Sequence, residues 1–85
     1  MLEKRRHSRA HVLRRGNIVF RDGHSAIGCI VLDLSPGGAR LRVRDWLGLP
    51  DAFELRIENG PVRQAAVRYR DLETTGVQFA DRHAA

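Results

Sequence analysis

Ala39-Arg40-Leu41-Arg42-Val43-Arg44 alternates apolar and cationic residues with a period of two. In an extended chain successive side chains point to opposite faces, so Ala39, Leu41 and Val43 share a dry face and the three arginines a wet one. The same alternation recurs downstream, where Phe53, Leu55 and Ile57 interleave with Glu54, Arg56 and Glu58. Upstream, Ser25 to Leu34 reads as a strand. From Ile27 onward it is apolar on both faces apart from Gly28 and Asp33, which predicts a central position. Val12 to Arg21 reads as a first strand, interrupted near Gly16-Asn17. Val62 to Tyr69 reads as a fifth, with Ala65, Val67 and Tyr69 inward, and Thr75 to Phe79 as a short sixth, with Val77 and Phe79 inward.

Turn chemistry separates these strands. Asp22-Gly23 and Asn59-Gly60 are hairpin signals, and Ser35-Pro36-Gly37-Gly38 is a turn. Trp46 to Pro50 is a connection with room for one helical turn, in which Trp46 is expected to cap a barrel end beside Leu47 and Leu49. Six short strands joined by tight turns must hide their edges, and closure into a small antiparallel barrel does so. Nothing calls for a long helix. The six residues after Phe79 are too few for a stable terminal one.

At 85 residues and 42% apolar content the chain is one globular domain. It has no apolar run of membrane-spanning length and no apolar stretch behind its basic N-terminus, so neither membrane insertion nor secretion is expected, and a cytoplasmic location is. Its single cysteine, Cys29, lies in an apolar run and reads as a buried core thiol. The net charge of +5 is unevenly placed: residues 1–15 hold six cations against Glu3 alone, while the other 70 hold nine cations and nine acids. The expected organisation is a basic arm at 1–11, a barrel at 12–80 and a tail at 81–85. Such an arm attracts anions of any kind.

Two clusters carry chemistry. Arg5-Arg6-His7-Ser8-Arg9 places arginines at R-x-x-x-R spacing on the arm. Asp33-Leu34-Ser35-Pro36-Gly37-Gly38 places D-x-S-x-x-G at a strand end. Arginine can pair bidentately with phosphate or with the O6/N7 edge of guanine. An aspartate offers acceptors to the guanine N1–H and N2–H₂ donors, and it repels a bare phosphate, so it argues for a base edge. A serine hydroxyl can donate to phosphate, and glycines let backbone approach a ligand closely.

These two motifs, in this order and on six strands, resemble the PilZ domain, and the resemblance covers nearly the whole chain. It implies a six-stranded split or Greek-key barrel that binds the bacterial second messenger cyclic di-GMP. Arg5, Arg6 and Arg9 are then expected to grip guanine edges and phosphates, Asp33 and Ser35 to hold one guanine, and Gly37 and Gly38 to shape the turn. The arm would fold over the barrel as the ligand binds. Lys4, next to the motif, leaves open whether one ligand or an intercalated pair is held. Many relatives carry a C-terminal helix, absent from this reading, and a Trp where Tyr69 stands. With no output domain in view, an unidentified protein effector is expected. The resemblance implies no cofactor and no enzymatic activity.

Other readings compete. The same arm could serve a nucleic-acid-binding barrel, although Phe20, Phe53, Tyr69 and Phe79 fall mostly on inner positions and leave no outer stacking platform. A PilZ-like module could have lost its ligand and retained only protein interaction. His7 and His11 stand four apart, but the arm does not read as a helix and no third ligand is placed to complete a zinc site. Ser35 has no base beside it, so nucleophilic catalysis is not expected. Arg40, Arg42 and Arg44 read as a solvated strand face, with a contribution to the anion site as the second reading.

Overall fold

The computed structural model describes residues 10–44 and 46–80. The expected arm residues 1–9, the tail at 81–85 and the capping role of the Trp46 side chain lie outside the described residues. Six strands form: β1 (Ala10–Phe20), β2 (Ser25–Ser35), β3 (Gly38–Val43), β4 (Ala52–Ile57), β5 (Val62–Arg70) and β6 (Thr75–Phe79). A single 3-10 turn, Trp46–Gly48, interrupts the β3–β4 connection. All pairings are antiparallel, and the order β1-β2-β3-β6-β5-β4 closes on itself into a barrel. The expected all-β barrel is therefore observed. Four of the five connections are hairpins; only the β3–β4 segment crosses a barrel end to a non-neighbouring strand. Among the described residues no helix is long and apolar enough to cross a membrane.

The core follows from the alternation. Leu41 and Val43 of β3, Phe53, Leu55 and Ile57 of β4, and Val77 and Phe79 of β6 are all buried, joined by Ile18, Cys29, Val31, Leu49 and Ala65. Burial pushes the Cys29 thiol up to about 11. The β1–β2 hairpin turns through Arg21 and Asp22, both at φ 55°, with the Gly23 N–H donating to the Phe20 carbonyl at 3.1 Å. Both central residues at positive φ match the right-handed strand twist. Asn59, at φ 56°, is the one left-handed residue of the β4–β5 turn, in which the Gly60 N–H donates to the Ile57 carbonyl at 2.9 Å.

Alternation fails at three places. The ladder shifts between His11 and Arg14 of β1, between Val31 and Asp33 of β2, and between Val67 and Tyr69 of β5. The first corrects the expected break at Gly16-Asn17. That pair sits in regular register, and the irregularity lies around Leu13, at φ 48° and exposed. The third corrects the inward placement of Tyr69: an extra residue, Arg68, reverses the facing of the strand beyond it, and Tyr69 is 48% exposed. The second sets Asp33 opposite Arg40, which keeps the outward parity of exposed Arg42 and Arg44 but is half-buried, so the solvated reading of that face holds for Arg42 and Arg44 and not for Arg40.

The β2–β3 turn is fastened to β6, with the Phe79 N–H donating to the Gly37 carbonyl at 2.9 Å. There β3 and β6 come so close that a Cβ on Gly38 would lie 2.2 Å from the Val77 carbonyl oxygen. A Cβ on Gly37 would meet nothing within 4 Å. Gly38→Ala should therefore cost at least roughly 1–3 kcal/mol, seen as a Tm lower by about 5–20 °C, while Gly37→Ala leaves Tm nearly unchanged. Equal melting of the two variants would contradict the close approach. Because the Cys29 thiol stays protonated well above neutral pH, a thiol reagent at pH 8 should label native protein roughly 100-fold more slowly than protein unfolded in denaturant. Matched rates would show the thiol to be accessible.

Candidate functional site

The shifts in β1, β2 and β5 converge on one outer row. His11 pairs with Asp33, Asp33 with Arg40, Arg40 with Gly76 and Gly76 with Tyr69, so the row crosses β1, β2, β3, β6 and β5. Asp33 continues the odd-numbered positions Cys29 and Val31, whose side chains are in the core. Without the extra residue at Leu32 its carboxylate would enter that core. With it, Asp33 stands opposite Arg40 on the outside of the barrel.

Asp33 and its neighbours border a cleft of about 470 Å³, walled by Ser35, Gly37 and Gly38 on the turn side and by Arg40, Tyr69 and Gln78 across it. That volume suits a small molecule. Only 3% of the Asp33 side chain is exposed, and Arg40 and His11 flank it. Arg40 Nη2 lies 2.6 Å from Oδ2, and His11 Nδ1 contacts Oδ1, an ion pair whenever the imidazole is protonated. The contacts are close but poorly aligned: among the described residues neither carboxylate oxygen, nor the buried Nε of Arg40, completes a hydrogen bond. Buried polar groups are normally satisfied, so three such atoms beside a cleft mark a place suited to another partner.

The remaining walls are set by local sequence. Ser35 Oγ donates to the Gly38 carbonyl at 3.3 Å, a long bond across its own turn that a better acceptor could replace. Tyr69 packs against Gly76, where a Cβ would fall 2.1 Å from a ring atom. The glycine is the seat of the aromatic ring, and the ring covers backbone the glycine leaves bare. Arg68 Nη1 donates to Gln78 Oε1 at 3.4 Å along the rim. Among the described residues no three His, Cys, Asp or Glu side chains gather to hold a metal ion.

Of the residues singled out from sequence, Asp33, Ser35, Gly37 and Gly38 thus meet around one cleft. Arg5, Arg6 and Arg9 lie outside the described residues. The strand after them enters the barrel at Ala10, whose partner is Leu34, midway between Asp33 and Ser35. Sequence reasoning placed Tyr69 inward, because it sits beyond a ladder shift that alternation does not reveal, and offered Arg40 for the anion site only as the second reading of a solvated face, because the shift in β2 that sets Asp33 opposite it is equally hidden. One signal was available: a charged residue at an inward position, Asp33, is a contradiction that a bulge resolves.

No characterised protein matches the chain in sequence. Among protein families, the PilZ domain matches residues 3–84, which takes in both motifs and the whole barrel. The chain belongs to the PilZ domain family, in general a family of cyclic di-GMP receptors rather than enzymes.

Proposed function

We propose that this protein is a cyclic di-GMP receptor that acts on a protein partner. The observation that carries the reading is the state of Asp33: a carboxylate at the floor of a cleft, almost fully buried, whose oxygens have charge partners but no aligned hydrogen bonds. Guanine offers what it lacks, two adjacent N–H donors on one edge. Ser35 can turn its hydroxyl from the Gly38 carbonyl to a phosphate oxygen. Gly37, with nothing near its Cα, gives a ligand close access to backbone. Tyr69 offers a ring face to a base.

The segment bearing Arg5, Arg6 and Arg9 joins β1 next to this corner, so its cations supply the phosphate and guanine contacts the barrel lacks. Ligand binding then orders that segment against the barrel, and a partner reads the change. The chemistry is recognition rather than catalysis, since Ser35 has no general base and Asp33 is engaged by cations.

Calorimetric titration of cyclic di-GMP tests this. Arg5→Ala, Arg9→Ala and Ser35→Ala should each weaken binding by roughly 1–3 kcal/mol, about 5- to 150-fold. Variants that all bind like the wild type would remove the site assignment. A wild-type protein that ignores millimolar dinucleotide would remove the function.

A further inference from the structure

Arg40 lies outside the sequence motifs, yet it is the cleft's most unusual cation. Its guanidinium has five N–H donors. Nη2 lies 2.6 Å from Asp33 Oδ2, Nε is buried with no acceptor among the described residues, and about 40% of the side chain remains exposed where it borders the cleft. A residue that served only to neutralise Asp33 would gain most from a two-point fork on the carboxylate, with Nε and Nη2 both engaged. The fork is not made. The guanidinium therefore holds the carboxylate at one corner and keeps donors for something else.

The order of groups along the row identifies that something. From β1 to β3 the site presents Oδ1 of Asp33, then Oδ2, then the Arg40 guanidinium: acceptor, acceptor, donor. The Watson–Crick edge of guanine runs N2–H, N1–H, O6: donor, donor, acceptor. Adenine presents no N–H at N1 and carries a donor amine where guanine has O6, so it would leave Asp33 short of a donor and set its amine against a cation. We infer that Arg40 is a specificity-determining residue that donates to guanine O6 while Asp33 accepts from N1–H and N2–H. This deepens, and rests on, the cyclic di-GMP reading. On the same geometry His11, at the Oδ1 end and largely exposed, yields its contact to the N2 amine.

Titrating cyclic di-GMP and cyclic di-AMP into wild type and Arg40→Met tests the assignment. Arg40→Met should lose roughly 10- to 100-fold in affinity for the guanine ligand, the size expected for a charge-assisted hydrogen bond, and the preference over the adenine ligand should narrow by a similar factor. Arg40→Lys, which keeps a donor, should recover part of the loss. Placing Arg40→Met in an Asp33→Asn background separates reading from mere neutralisation. A donor to O6 still matters there, whereas a pure counter-ion no longer does, and a cost-free substitution in that background overturns the proposal. Should the variants fail to fold, the Arg40 Nε–H resonance of wild type answers: it should move on saturation with cyclic di-GMP, and a stationary resonance overturns the proposal. Tight wild-type binding with Arg40→Met unaffected sinks this inference alone, while a wild type that binds nothing sinks the receptor reading with it.

Discussion

The cleft depends on a carboxylate taken out of water. A buried Asp33 is costly unless opposite charge and hydrogen bonds surround it. Here Arg40 supplies charge from one neighbouring strand, and His11 adds to it from the other whenever its imidazole is protonated, while directional bonding is left incomplete among the described residues. A stability-driven arrangement would complete the fork or replace the set with apolar side chains. Retaining a paired but under-bonded carboxylate at a cleft floor fits recognition better than support.

That placement rests on backbone irregularity. A closed six-stranded barrel has no free edges, and regular alternation would leave its outer surface a uniform mixture of side chains. The extra residues in β2 and β5 each reverse facing once, moving Asp33 and Tyr69 from core parity to the outside, and the shift in β1 brings His11 into line with them. Bulges commonly re-aim side chains beside binding sites. Strand β3 runs between them without a shift, which is why Arg40 becomes the fixed cation against which the aspartate is set.

The sequence disclosed what periodicity encodes. Leu41, Val43, Phe53, Leu55, Ile57, Val77 and Phe79 all face the core as their alternation requires, and the turns fall at Asp22-Gly23 and Asn59-Gly60 because few other residues adopt those backbone angles readily. The family motif also located one wall of the cleft. The register shift in β2 was signalled only by Asp33, whose charge contradicts an inward position; an inserted residue such as Arg68 has no distinguishing chemistry, and its effect depends on the strand beside it. Tyr69 shows the consequence: it comes after Ala65 and Val67 in perfect alternation, yet its ring lies outside over Gly76, a residue whose significance is invisible until β5 and β6 are paired.

The two glycines ending the motif divide its labour. Gly38 is fixed by the fold, because β3 and β6 approach too closely there for any Cβ, and it would be kept by a PilZ barrel that bound nothing. A Cβ at Gly37 would meet nothing within 4 Å among the described residues, and the position has no need of left-handed backbone, so packing does not explain the glycine. A motif of this kind therefore mixes barrel-building and ligand-reading positions, and its presence alone separates a receptor from a retired receptor poorly. The discriminating features are those the barrel does not require: an open Cα at Gly37, an Arg40 fork left half made, and a carboxylate buried without its hydrogen bonds. All three lie on one cleft, beside the point where the chain carrying Arg5 and Arg9 enters β1. That coincidence favours retained binding over a module kept only for its shape.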